Sequence, residues 1–345
     1  MDAEAWSQHA PEYCKHAVSI TGKYGDYMGD AIVAELSCHD DGARGSGTPF
    51  RVLDIACGRG DAAISVAERL IASDLGQRGT FQVDAIDFAP GMVAMAKDMV
   101  ASRGGTIAAA ITCTVADAKA LPFDDGSMDA VVSNFGIFLV PGRFAAWEEA
   151  LRVLRGGGFI YASAFAPGRD VGSALSFHKT LLDTVTAVRA ELAVEMGSAA
   201  APVMVAAPAA AAPAAAVPAV VGASGAAPAP PAELNAMAAT ADQLAEELRS
   251  VRGVEGASVR VVDCRSTIVI SCGAVADVTL DNPSLRAAIG LALIRSAADA
   301  SADARVRSKM VTLLLAATAA RNERAPVFFN AAANLVIARK LRPGA

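Results

Sequence analysis

The sequence predicts an α/β fold built on a mostly parallel sheet with helices on both faces, and two observations carry that prediction. The first is the stretch Val52-Leu-Asp-Ile-Ala-Cys-Gly-Arg-Gly-Asp61. Val52, Leu53 and Ile55 suit a strand buried on both sides. Gly58 and Gly60 let the backbone turn sharply, so that main-chain N–H groups can approach a ligand, and Ala62 to Leu70 reads as the helix that follows. The second is the recurrence of this strand-then-turn pattern downstream, at Phe81-Gln-Val-Asp-Ala-Ile-Asp87 and at Met128 to Asn134.

The glycine turn alone leaves its ligand open. Gly58-x-Gly60-x-x-Ala63 satisfies the loose dinucleotide fingerprint, in which alanine may replace the third glycine. Asp54, four positions before Gly58, argues against that reading, because a carboxylate near the helix N-terminus repels a pyrophosphate. A ligand carrying an ammonium group and a sulfonium cation would instead be attracted by it. S-adenosylmethionine carries both, together with a carboxylate that suits the N–H groups of the turn.

Three further segments follow in order: Val115-Ala-Asp-Ala-Lys-Ala-Leu-Pro-Phe123, Asp124-Asp-Gly-Ser-Met-Asp-Ala-Val-Val-Ser-Asn134 and Arg152-Val-Leu-Arg-Gly-Gly-Gly-Phe159. With these the chain resembles the class I S-adenosylmethionine-dependent methyltransferases, of the small-molecule type loosely similar to ubiquinone-biosynthesis methyltransferases. The resemblance implies a Rossmann-like seven-stranded sheet, mostly parallel with an antiparallel last strand, under a helical lid. It also implies roles. Asp87 would bond the ribose hydroxyls, since a carboxylate accepts two such donors well. Asp117 would accept from the adenine amine, and Ala118 would offer its backbone N–H. Ala56, Cys57, Gly58 and Gly60 would surround the methionine end with Asp54. Phe88, Asn134 and Phe135 complete the implied cofactor set.

The departures from the family narrow the acceptor. Ala56 stands where many members have glycine, and Arg155-Gly156 replaces the more usual Arg-Pro. No Asn/Asp-Pro-Pro-Tyr follows the fourth strand, where Ser133-Asn134-Phe135-Gly136 stands instead, and there is no Pro-Cys nucleophile. The ubiquinone-type signature segment is not recognisable either.

Composition excludes several classes of partner. The chain has 345 residues, 53% hydrophobic, with a formal net charge of −6, and no Lys/Arg cluster longer than a pair stands out. A small-molecule substrate is expected rather than nucleic acid. The six cysteines, at 14, 38, 57, 113, 264 and 272, show no C-x-x-C spacing, so no metal site is expected, and free thiols in a reducing compartment are. The acidic N-terminus lacks the order of a secretory signal. The apolar run Met310 to Ala320 falls well short of the ~20 residues a membrane span needs. A cytoplasmic protein without a membrane span follows.

Beyond the fifth strand the composition changes. Residues 198–232 are almost wholly Ala, Pro, Val and Gly, with prolines at 202, 208, 213, 218, 228, 230 and 231, and read as a disordered insertion. Thr240 to Arg252 reads as an amphipathic helix, and Ser258 to Asp263 and Asn334 to Lys340 as strands. In the family such strands close the sheet, so the insertion falls inside one domain. That domain divides into cap helices within 1–45, a cofactor-binding core over 48–165, the insertion, and closing strands with a helical lid over 240–342. The roughly 65 residues between the late strands would form the lid, with helices near Asn282 to Ile294 and Ala302 to Ala320. N-terminal helices at Ala5 to His16 and Asp26 to Leu36 would join it over the carboxyl ends of the strands, where open α/β sheets bind ligands.

The implied reaction is in-line displacement on an already activated methyl group, which asks the protein mainly for alignment and exclusion of water. A base is needed only for a protonated nucleophile. Candidates are His9, Tyr13, His16, Tyr24, Tyr27, His39 and His178, with His178 and Tyr13 placed best. Phe135, Phe138 and Phe144 could line an apolar substrate pocket or fill the core, whereas Trp147 and Leu151, one helical turn apart, read as core. Two other readings stay open at this level: a non-catalytic cofactor-binding module acting through a partner, and a dehydrogenase.

Overall fold

The computed structural model describes residues 3–39, 49–73, 80–165, 180, 183–188, 191, 241–281 and 300–342. The insertion expected at 198–232, the helix expected at 282–294 and His178 lie outside the described residues. Helix α1 (Ala3–His39) precedes β1 (Phe50–Ile55), α2 (Asp61–Ala72), β2 (Phe81–Asp87), α3 (Pro90–Arg103), α4 (Gly105–Ala110) and β3 (Ile111–Val115). Then come β4 (Met128–Asn134), α5 (Arg143–Val153), β5 (Leu154–Phe165), α6 (Ala241–Ser250), β6 (Arg260–Ser271), α7 (Cys272–Asp281), α8 (Ala300–Thr318) and β7 (Pro326–Arg339).

The seven strands form one sheet in the order β3-β2-β1-β4-β5-β7-β6. Neighbours from β3 to β5 pair parallel, and β7 pairs antiparallel with both β5 and β6. Apolar runs produce this arrangement. Val52, Leu53 and Ile55 of β1, with Met128, Val131 and Val132 of β4, have no exposed surface, as expected of central strands covered by helices on both faces. Trp147 and Leu151 are core residues, as their spacing predicts.

β6 and β7, which follow residue 241, complete this same sheet. Arg143 of α5 forks onto Glu247 of α6, Nε to Oε2 at 2.9 Å and Nη2 to Oε1 at 2.5 Å, beside the buried Trp147 ring. Such bidentate pairs fix orientation as well as contact. At the end of β7, the Lys340 ammonium donates to the carbonyls of Leu151 and Leu154 at 2.7 and 2.6 Å, closing the C-terminus of α5 in the way cations favour.

Two expectations need correction. The N-terminal segment is one helix rather than two, with Pro11 inside it. Gly22 and Gly25 lie between the two expected helices and disfavour helix by about 1 kcal/mol each. Packing prevails instead: a Cβ on Gly25 would lie 3.1 Å from the Ala62 Cα, and one on Gly29 would lie 2.6 Å from the Arg69 Cγ, so these glycines seat α1 against α2. The late strands are also longer than expected. Register runs from Arg260↔Ile337 to Ser271↔Pro326, whereas β5 pairs with β7 only as far as Ala333. The β6–β7 hairpin therefore projects past the carboxyl end of β5. The β-branched run Thr267-Ile-Val-Ile270 suits this extension. At its tip Ile270, Val275, Val306, Met310, Leu314 and Val327 form a second apolar core with α7 and α8. No helix among the described residues is long and apolar enough to cross a membrane.

Candidate functional site

Strand order reverses between β1 and β4, and a cavity of about 340 Å³ opens over their carboxyl ends. This is the topological switch point, where open α/β sheets bind ligands. On the β1 side the chain leaves Ile55 through a turn in which Ala56, Gly58 and Gly60 have φ of 55°, 54° and 87°. Left-handed backbone is natural for glycine but costs alanine roughly 1 kcal/mol, so Ala56 is strained where the resemblance leads one to expect glycine. Ala56, Cys57 and Gly58 line the cavity; Gly60 does not. Gly60 instead begins α2, and a Cβ there would touch the Ala96 Cβ at 3.4 Å.

Three acids from three strand ends face the cavity. Asp54 is wholly buried, and neither of its oxygens has a hydrogen-bond partner of good geometry. Burial raises its pKa from the ordinary 3.8 to about 8, with the Asp87 and Asp61 charges adding to the rise; the nearby Ala63 amide opposes them only in part. Asp87 is buried but satisfied, accepting the Gly58 and Ala89 amides at 3.0 Å each. Burial raises its pKa and those amides pull it back. A carboxylate has about four acceptor sites, so room for further donors persists. Asp117 is half-exposed at the rim and accepts the Lys119 amide at 2.9 Å, next to buried Ala118.

From the β4 side come Asn134 and Phe135. Phe135 has φ of 55°, which for a bulky side chain is an outlier of the kind that collects at functional sites. Its ring packs edge-on against Tyr24 at 5.1 Å and Phe138 at 6.4 Å. The three phenylalanines thus divide: Phe135 reaches the cavity, Phe138 fills the core and Phe144 is 46% exposed. Phe88 lies at the cavity with 38% of its surface exposed. Burial holds the Cys57 thiol well above its usual range, with Asp54 and Asp87 adding to the effect, so it is a packing group rather than a nucleophile.

The N-terminal arm of α1 closes one wall with Ala3, Trp6 and Cys14. Trp6, Ala10 and Cys14 pack on Ala89 and Met92 in a small cluster apart from the main core. The Ser7 hydroxyl accepts the Gly91 amide at 3.0 Å, and Arg59 spans from the Asp61 carboxylate to the Cys14 carbonyl. Sequence reasoning passed over Trp6, Cys14, Arg59 and Met92. The signal for two of them was present: Trp6, Ala10 and Cys14 follow a four-residue period on one helical face. Tyr13 sits on α1 beside Cys14. Tyr24 is buried under Phe135, and Tyr27 is exposed. Among the described residues the lining runs from α1 to Pro141 and includes no residue of α7 or α8.

Arg152 braces the rim. Its guanidinium donates to the Leu121 and Phe123 carbonyls at 2.9 and 2.8 Å and pairs with Glu149 and Asp125, while Glu149 accepts the Leu121 amide. Arg152→Ala is expected to cost about 1–3 kcal/mol, as loss of charged hydrogen bonds does. Amide hydrogen exchange should speed up over residues 117–125 and remain unchanged in β1.

Residues 30–170 match the sequence profile of the ubiE/COQ5 methyltransferase family. The ubiquinone/menaquinone biosynthesis C-methyltransferase UbiE of Geobacter sulfurreducens is 40% identical over 120 residues, which is 35% of this chain and 43% of that protein. The demethylmenaquinone methyltransferase of Thermus thermophilus is 38% identical over 123 residues, 34% of this chain and 49% of that protein. The chain thus spans less than half the length of these relatives. The [4+2]-cyclase SpnF shares 18% identity over 92% of this chain and 81% of its own, at a TM-score of 0.42, a likeness too loose to bear on function. The match over residues 30–170 relates that part of the chain to the ubiE/COQ5 methyltransferase family, and the 3-2-1-4-5-7-6 sheet is the Rossmann-like arrangement expected with it.

Proposed function

We propose that this protein transfers a methyl group from S-adenosylmethionine to a small-molecule acceptor by in-line displacement, the chemistry of EC 2.1.1.-. The observation that carries the reading is Asp54, a buried carboxylate without a hydrogen-bond partner at the wall of the cavity. Burial favours the neutral acid in the empty cavity, and a cationic ligand beside it would favour the carboxylate. The donor set fits this cofactor. Asp54 would face the ammonium and sulfonium end beside the Ala56–Gly58 turn, and Asp87 would take the ribose hydroxyls. Asp117 and Ala118 would meet the adenine edge, with Phe88, Asn134 and Phe135 completing the walls and Gly60 supporting the turn from behind.

Bound there, the cofactor supplies an activated methyl electrophile. The chain's part is to hold it, to align the acceptor and to exclude water, for which the apolar wall of Trp6, Met92, Phe135 and Leu139 is suited. His178 and Tyr13 are the proposed base or positioning residues. The relatives are a C-methyltransferase of ubiquinone/menaquinone biosynthesis and a demethylmenaquinone methyltransferase, but the match ends at residue 170, so the acceptor is proposed only as a small molecule. One continuous domain with the 198–232 insertion, and a cytoplasmic setting, belong to the same reading. The test is transfer from tritium-labelled cofactor into fractionated cell extract. Label is expected in the small-molecule fraction; label found only in protein or nucleic acid would contradict the proposal.

A further inference from the structure

Behind the cavity, and outside its described lining, lies Ser163 on β5, 2% exposed. Its hydroxyl uses both of its capacities on the cavity wall: it donates to Asn134 Oδ1 at 2.7 Å and accepts the Phe135 backbone N–H at 2.9 Å. Those two residues are neighbours at the end of β4, and Phe135 is the one held at φ 55°. A strained backbone of this kind persists only where its surroundings fix it. The following residue leaves little slack, because a Cβ on Gly136 would lie 2.6 Å from the Ala56 Cβ, on the glycine turn across the cavity. Ser133 pins the same loop from below, donating to the Ile55 carbonyl at 2.8 Å and accepting the Ile137 amide at 2.9 Å.

We infer that Ser163 is a positioning residue of the site: its single hydroxyl sets the Asn134 amide and holds Phe135 in left-handed backbone, and through them it sets the affinity for the adenosyl cofactor. The inference rests on the cavity being the cofactor site. β5 thereby acts on the site although it supplies no residue to the described lining.

The test measures S-adenosylhomocysteine binding by calorimetry, with urea unfolding run beside it. Ser163→Ala removes both hydrogen bonds and is expected to weaken binding about tenfold, the scale of one or two lost hydrogen bonds. Ser163→Thr keeps the hydroxyl and is expected to restore affinity to near that of the wild type. A further readout separates positioning from general stability. In a Phe135→Gly background the left-handed backbone no longer needs holding, so adding Ser163→Ala is expected to change affinity only by the Asn134 share, clearly less than in the wild type. A Ser163→Ala protein that binds within twofold of the wild type would overturn the inference. So would an equal loss in both backgrounds. If the wild-type protein bound no S-adenosylhomocysteine, the cofactor reading itself would fall, which is a different result from wild-type binding that Ser163 does not influence.

Discussion

Asp54→Asn is expected to make the protein more stable at pH 8 and a worse binder of S-adenosylmethionine. The first half follows from linkage. The folded-state pKa of about 8 lies above the unfolded value near 3.9. As pH rises from about 4 to about 8, the unfolded chain gives up this proton while the folded chain keeps it, and stability falls by roughly 1.4 kcal/mol per unit. The total is on the order of several kcal/mol, with full stability below about pH 4 and the loss complete above about pH 8. Asparagine does not titrate, so the variant should lack this decline, and urea midpoints at pH 5 and pH 8 would reveal it. The second half follows from charge: losing a carboxylate that faces a cation costs about 1.5–3 kcal/mol, roughly tenfold or more in affinity. A residue that destabilises the empty fold and strengthens ligand binding shows the trade-off expected of a functional site. A variant that lost both stability and affinity at pH 8 would mark Asp54 as structural only.

Gly136→Ala should disrupt the site severely. The new Cβ would meet the Ala56 Cβ at 2.6 Å, the Ala56 carbonyl oxygen at 2.9 Å and the Ser133 hydroxyl at 3.1 Å. Two of these contacts belong to backbone or to a Cβ fixed on it, so the β4 loop and the glycine turn must separate. Overpacking of this kind typically costs about 1–3 kcal/mol. Binding should suffer further, because the movement falls on Ala56 and Phe135, both already in left-handed backbone. The expected outcome is a lower urea midpoint with S-adenosylhomocysteine affinity reduced by more than about tenfold, beyond what a one-methylene clash inflicts elsewhere. Gly58→Ala provides the contrast. A Cβ there meets no protein atom within 4 Å, so that variant should pay mainly for its φ and for space taken from the ligand.

The two sides of the cavity were unequally legible in the sequence. Asp54, Gly58, Asp87 and Asp117 stand at strand ends within short local patterns, and the sheet brings them to one edge because parallel strands align their carboxyl ends. Residues that reach the site across the fold gave weaker signals. Trp6 and Cys14 arrive on α1, whose continuity depends on Gly25 and Gly29 fitting against α2, a tertiary contact that propensity opposes. Ser163 lies in the middle of an apolar strand and is indistinguishable there from an ordinary small core residue. The hairpin extension was hidden for a related reason. The pairing of Thr267 to Ser271 with Pro326 to Asn330 joins segments more than fifty residues apart, and neither is bounded by a turn signal where β5 stops.

The central claim is that the cavity over β1 and β4 is an S-adenosylmethionine site. The most direct measurement is a calorimetric titration of the full chain with S-adenosylhomocysteine and with NAD, repeated on Asp87→Ala. One-to-one binding of S-adenosylhomocysteine is expected, weakened by about 1–3 kcal/mol in the variant, with no binding of NAD. Binding of NAD alone, or S-adenosylhomocysteine binding that Asp87→Ala leaves unchanged, would contradict it.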